Sequence, residues 1–285
     1  MDDTRFEQAV DAVVQGDLEA LRLLLRADAS LVEQRSARSH HATLLHYVAA
    51  NGVENFRQRT PSNIVRIAEC LLDAGADVKA TCDVYGGGAD TLGLVVTSAH
   101  PRAIGVQLPL ADLLLARGAI LRPRLVRDSL ANGCPEAATH IGAICLQRGM
   151  PLGLQELAGM GETRRVADLL VQESSSDSER GEAMTMAAWY NRAPALMALL
   201  DAGVAVDTPN SDGATALHVA AYAGHFDLVH MLCARSADVH RRDARYDSTP
   251  RTWAQHAWQV DGKGPEAMYR AIIDHLQQAE SLTRP

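Results

Sequence analysis

The chain has 285 residues, 47% of them apolar and 22% charged, with a formal net charge of −8; this excludes intrinsic disorder as the overall class and leaves room for one large domain or two ordinary ones. No apolar run approaches the roughly 18 residues a membrane helix needs. Neither residues 1–150 (15 basic, 17 acidic) nor residues 151–285 (12 basic, 18 acidic) have the basic excess that phosphate contacts demand, so neither a membrane nor nucleic acid is an expected partner. Only 12 residues are aromatic, which leaves a core of Leu, Ala and Val and argues against a β-sandwich or barrel. The five cysteines (Cys70, Cys82, Cys134, Cys145, Cys233) are odd in number and nowhere spaced as CxxC, so reduced thiols are expected, with no metal site and no cofactor. The acidic start Met1-Asp2-Asp3-Thr4-Arg5 is unlike a secretory signal, and 25 of the 27 basic residues are Arg; together these lead us to expect a cytoplasmic protein from a GC-rich bacterium.

In chain order, residues 3–39 read as an N-terminal capping unit, with helices Phe6–Gln15 and Leu18–Arg26 split by Gly16-Asp17. Residues 40–81 place Thr43-Leu44-Leu45-His46 before a Leu-rich helix, Ile64–Leu72, with an insertion at Val53–Ser62 between them. Residues 82–121 carry Tyr85-Gly86-Gly87-Gly88, a lengthened link from His100 to Gln107 and the helix Leu110–Leu115. Two short, divergent helix pairs follow; the irregular stretch of the chain is thus 40–172, and the Ser-rich segment 173–181 is expected to be a flexible joint. Residues 182–241 become regular again, and residues 242–285 close the chain with a capping helix at Pro265–Gln278.

These units repeat one another. Thr43 to Gly52 returns as Thr215 to Gly224, and Asp73-Ala74-Gly75-Ala76 returns as Ala116-Arg117-Gly118-Ala119 and Asp201-Ala202-Gly203-Val204. A degraded copy reads Ala234-Arg235-Ser236-Ala237. From Thr215 to Thr249 is 34 residues, and a period of this length signals stacked units, because a lone short helix pair cannot bury its apolar face. On these residues the chain resembles the ankyrin-repeat family, whose unit of about 33 residues carries T-P-L-H-x-A. The Gly86–Gly88 and Thr97-Ser98-Ala99-His100-Pro101 stretches look more like bacterial ankyrin proteins than the consensus. The resemblance implies an all-α, helix-turn-helix solenoid of about eight repeats over residues 1–285, capped at both ends.

It also implies a scaffold that binds proteins through its groove and loop tips, and it gives His46 and His218 a structural task at their helix starts. Eight of the 12 aromatics lie after residue 188, and Trp and Tyr dominate binding hot spots. The expected contact residues are Trp189, Asn191, Tyr222, His225 and Arg245, with Trp253 and Trp258 packed under the capping helix. The alternative is a small-molecule site or an enzyme built from the insertions of the second and third repeats. There Arg57, Arg59 and Arg102 would hold a small anionic ligand, and Tyr85 or His100 would act as general acid or base. The Arg122, Arg124, Arg127 cluster reads as solvated surface.

Overall fold

Alternation of short Ala-rich with longer Leu-rich runs, each closed by Gly, gives helix pairs that must stack to bury their faces. The computed structural model describes residues 3–172 and 175–283, and the chain resolves into two compact units, residues 1–151 and 152–285. The first unit contains α1 (Asp3–Gln15) with α2 (Leu18–Ala27), then α3 (Leu44–Tyr47) with α4 (Ile64–Asp73). A two-residue antiparallel hairpin, β1 (Thr81–Cys82) with β2 (Ala89–Asp90), pairs Thr81 with Asp90. It leads into α5 (Thr91–Val96), the short α6 (Ala99–Ala103) and α7 (Gln107–Ala116), and the unit ends with α8 (Arg124–Ala131) and α9 (Pro135–Gln147). Its interior is Leu21, Leu44, Ile64, Ile67, Leu92 and Leu110, all fully buried.

The second unit is again four pairs: α10 (Leu154–Met160) with α11 (Thr163–Gln172), α12 (Asp177–Trp189) with α13 (Ala193–Asp201), α14 (Ala216–Ala223) with α15 (Phe226–Ala234), and α16 (Pro250–Gln259) with α17 (Glu266–Leu282). The first helices of these pairs form one layer, α10 on α12, α12 on α14 and α14 on α16. Their small residues permit close approach. Gly181 in α12 is the clearest case, since a Cβ there would lie 1.8 Å from the Pro209 carbonyl oxygen. Leu196, Leu199, Leu228, Leu232, Ile272 and Leu276 seal the unit, each such side chain contributing about 1.5–3 kcal/mol of burial.

The all-α, repeated-pair architecture is as expected from the sequence, with eight pairs among the described residues. Four local features differ. The Val53–Ser62 insertion contains a 3-10 turn, Asn55–Arg57, and the His100–Gln107 link begins inside α6. Tyr85-Gly86-Gly87-Gly88 is a run of four residues with positive φ (51°, 92°, 95° and 75°) that turns the small hairpin, a conformation three glycines make inexpensive. The joint expected over 173–181 begins with two residues outside the described ones, but Asp177–Gly181 form the start of α12. Ser176 and Glu179 exchange hydrogen bonds there as a capping box, which fixes a helix start in a segment that reads as flexible by composition.

Candidate binding site

At Thr43 and Thr215 the same local device sets the helix start. The Thr43 backbone N–H and hydroxyl lie 3.1 and 2.8 Å from His46 Nδ1, and His46 Nε2 lies 3.1 Å from the Ala80 carbonyl. His218 repeats this with Thr215 and the Ser248 carbonyl. An amide can only donate, so Nδ1 is bare and Nε2 carries the proton that bridges to the next repeat. Burial holds the His46 imidazole at about 4, far below its ordinary range, and lowers His218 in the same sense. Neither ring is available for chemistry.

The polar residues of the first unit do not gather as the enzyme alternative requires. Arg57 is buried and donates to Glu7 (2.6 Å) and Asp11 (2.8 Å), with Glu54 at 3.7 Å. Arg38 pairs with the same Glu7 and Glu54. The insertion of the second repeat is thereby clamped onto α1, and Arg57 is committed to carboxylates of its own chain rather than to a ligand. Arg59 and His100 are exposed, and Arg102 donates to the Gly133 carbonyl. Tyr85 donates to Asn51 Oδ1 at 2.6 Å over a cleft of about 540 Å3 that Thr97 and Arg122 also line. Arg57, Arg59, His100 and Arg102 do not line it. Arg122, read from sequence as solvated, pairs with Asp90 in that cleft wall. Only the register between adjacent repeats puts it there. His40, His41 and His46 also diverge: His40 accepts from the Ala42 amide, His41 pairs with Asp83, and His46 serves its helix cap.

In the second unit the aromatic residues converge. Trp189 ends α12, Tyr222 sits in α14 and Trp253 in α16, so the layered helices α12, α14 and α16 each supply one ring. Trp189 and Tyr222 are stacked, centroids 5.7 Å apart and planes 27° apart. Tyr222 and Trp253 meet edge to face at 5.8 Å and 76°, and Tyr246 meets Trp253 at 6.2 Å and 68°. Such pairs add about 0.5–1.5 kcal/mol each beyond the area they bury. Trp189 remains 39% exposed and Tyr246 61% exposed. Tyr222, Tyr246 and Trp253 line a cleft of about 430 Å3 together with Ser248, Thr252 and His256.

The polar ends of the rings are tied to carboxylates. Tyr222 donates to Asp261 at 2.6 Å, and Trp253 Nε1–H donates to Asp243 at 3.0 Å. Burial, reinforced by Asp261, pushes the Tyr222 phenol up to about 12. Burial would raise Asp243, but hydrogen bonds from the Tyr246, Ser248 and Arg245 amides and from Trp253 outweigh it and hold the carboxyl below its ordinary range. Cations of the chain itself face the rings: Lys263 Nζ is 4.1 Å from the Tyr222 centroid and 5.1 Å from that of Trp189, and Arg245 lies 5.2 Å over Tyr246.

Of the five expected contact residues, Trp189, Tyr222 and Arg245 are therefore part of one ladder. His225 lies beside it with Nε2 3.1 Å from the Trp189 carbonyl, so that it anchors the end of α12. Asn191 is an exposed turn residue at φ 54°. Trp258 does meet the capping helix, through Arg270 at 5.5 Å. Trp253 does not belong there; it turns toward α14 and meets His218 as well as Tyr222. Tyr246 and Trp253 belong to the ladder although neither was among the expected contact residues. The signal was the alternation of aromatic and acidic residues in Asp243–Trp253, which has meaning only once Tyr222 stands opposite.

Among the described residues no helix is long and apolar enough to cross a membrane. A family model described as ankyrin repeats in three copies matches residues 154–243, the stretch that holds Trp189 and Tyr222. The crystal structure of the human ASB11 ankyrin repeat domain is similar over 93% of this chain and 96% of that one, with 20% identity and a TM-score of 0.42. Ankyrin repeats are in general modules for protein interaction. Residues 154–243 are thus a run of ankyrin repeats by the family model they match, and Thr43–His46 makes in the first unit the same helix cap that Thr215–His218 makes in that stretch.

Proposed function

We propose that the chain binds a protein partner through the aromatic ladder of its second unit. The observation that carries this reading is the half-open stack of Trp189, Tyr222, Trp253 and Tyr246, the last three of which line a cleft of about 430 Å3. A monomer with no partner would gain by covering such rings, and buried Trp and Tyr are the residues on which interfaces concentrate their energy. Arg245 at the rim is exposed and loosely paired with Asp212 at 3.6 Å, so it is free to choose a new partner.

The test is selection of displayed random 12-residue peptides on the full chain, followed by measurement of the enriched peptides on variants. Trp189→Ala and Tyr246→Leu should each weaken binding about tenfold or more, with helicity unchanged by circular dichroism. Peptides that bind both variants as well as the parent place the interface elsewhere. The cleft beneath Tyr85 supports a second reading, a small polar ligand held by Tyr85 and Arg124. Asp90 neutralises Arg122 there, which leaves that cleft less suited to an anion than the sequence suggests.

A further inference from the structure

The ladder carries a charge preference. Its rings are polarised at both polar ends, since the Tyr222 hydroxyl and the Trp253 indole N–H each donate to a carboxylate. Donation to an anion pushes electron density back into a ring and strengthens the negative face that attracts cations. The chain already uses this property. Lys263, one of only two lysines, spans the Tyr222 and Trp189 rings, and Arg245 covers Tyr246. Trp presents the best face for a cation, yet among the described residues no Lys or Arg lies over Trp253. Around it stand the hydroxyls of Ser248 and Thr252, acceptors suited to guanidinium N–H groups. Residues 151–285 hold 18 acidic against 12 basic side chains, so the field over this unit also favours an incoming positive charge.

We propose that the cleft between Tyr222, Tyr246 and Trp253 receives an arginine side chain from a basic segment of the protein partner. The inference rests on the reading above that the ladder is the protein-binding site. Arginine suits the cleft better than lysine because its guanidinium is planar, weakly hydrated and stacks on aromatic faces. The occupying cation meets Trp253 while its N–H groups reach Ser248 and Thr252, and the flanking peptide lies along Trp189.

The enriched peptides described above supply the test. Each is resynthesised with its arginines replaced one at a time by citrulline, which keeps the shape and removes the charge. One citrulline substitution per peptide should weaken binding to the full chain about tenfold, and that loss should vanish in Tyr246→Leu and in Trp253→Leu. Tyr246 is exposed, so its replacement keeps the test valid even if Trp253→Leu loosens the fold. A second measurement uses methylguanidinium chloride as probe: the Trp253 indole N–H resonance should shift saturably, that of Trp258 should not, and sodium chloride at equal ionic strength should move neither. Enriched peptides that need Trp189 and Tyr246 but tolerate citrulline at every position overturn the arginine pocket and leave the protein-binding site standing. Peptides indifferent to all ladder substitutions, or no enrichment over a Trp189→Ala, Tyr246→Leu control, overturn both.

Discussion

The cap histidines make acid the most direct probe of the repeat stack. His46 is fully buried, with Nδ1 receiving the Thr43 amide and Nε2–H bridging to Ala80 of the following repeat. Protonating Nδ1 sets two N–H groups against each other and places a charge on a fully buried ring. The folded imidazole titrates at about 4, against an ordinary 6.5 in the unfolded chain. Because the folded value is depressed for a base, the neutral ring's contribution is complete above 6.5 and is lost as the pH falls from there toward 4. Linkage between these two values gives a loss of about 2 kcal/mol between pH 7 and pH 5, and His218 adds in the same direction. The assay is urea unfolding at both pH values for the parent and for His46→Gln, which cannot titrate. The variant should be less stable at pH 7 but should lose about 2 kcal/mol less than the parent on acidification. Equal acid sensitivity in the two proteins, or a His46 ring that titrates near 6.5 by NMR, would refute the assigned tautomer and its energetic consequence.

Three further perturbations test the packing. Ser236 occupies a repeat position held by Gly75, Gly118 and Gly203 elsewhere, and it keeps their left-handed backbone at φ 63°; Ser236→Gly should therefore stabilise the chain by about 1 kcal/mol in thermal unfolding, and a neutral or destabilising result removes the strain argument. Gly181→Ala should cost about 1–3 kcal/mol by pushing a methyl against the Pro209 carbonyl, despite the better helix propensity of alanine; a variant more stable than the parent would show that α12 has room to move. Arg57→Met leaves Glu7 and Glu54 to Arg38 and removes the partner of Asp11 in the clamp between α1 and the second-repeat insertion. The expected loss is about 1–3 kcal/mol, below the full cost of a broken buried pair because Arg38 still faces Glu7 and Glu54 and Asp11 is half exposed; a loss under about 1 kcal/mol would make the clamp ornamental.

Much of the fold is legible in the chain because its information is local and repeated. Thr43-x-x-His46, Thr215-x-x-His218 and the Gly75, Gly118 and Gly203 turns each specify their own helix end, and recurrence says that the ends belong to stacked units. Composition alone misled at Ser176, where a Ser-rich run hides a helix start that the Ser176 and Glu179 spacing states plainly. At Ser236 the sequence showed a degraded copy of the Gly turn but not that its backbone would be kept. The backbone there is dictated by neighbouring repeats, so the left-handed turn survives the loss of its glycine. At the aromatic ladder the sequence supplied Trp189, Tyr222 and Arg245 through their repeat positions. It could not supply their assembly: that Arg57 spends its charge on Glu7 and Asp11, or that Trp253 leans toward Tyr222 while Trp258 turns to Arg270. Periodicity fixes which residues share a helix face. Which rings meet, and which charges are already satisfied, depends on the register between helices far apart in the chain, and only packing sets that register.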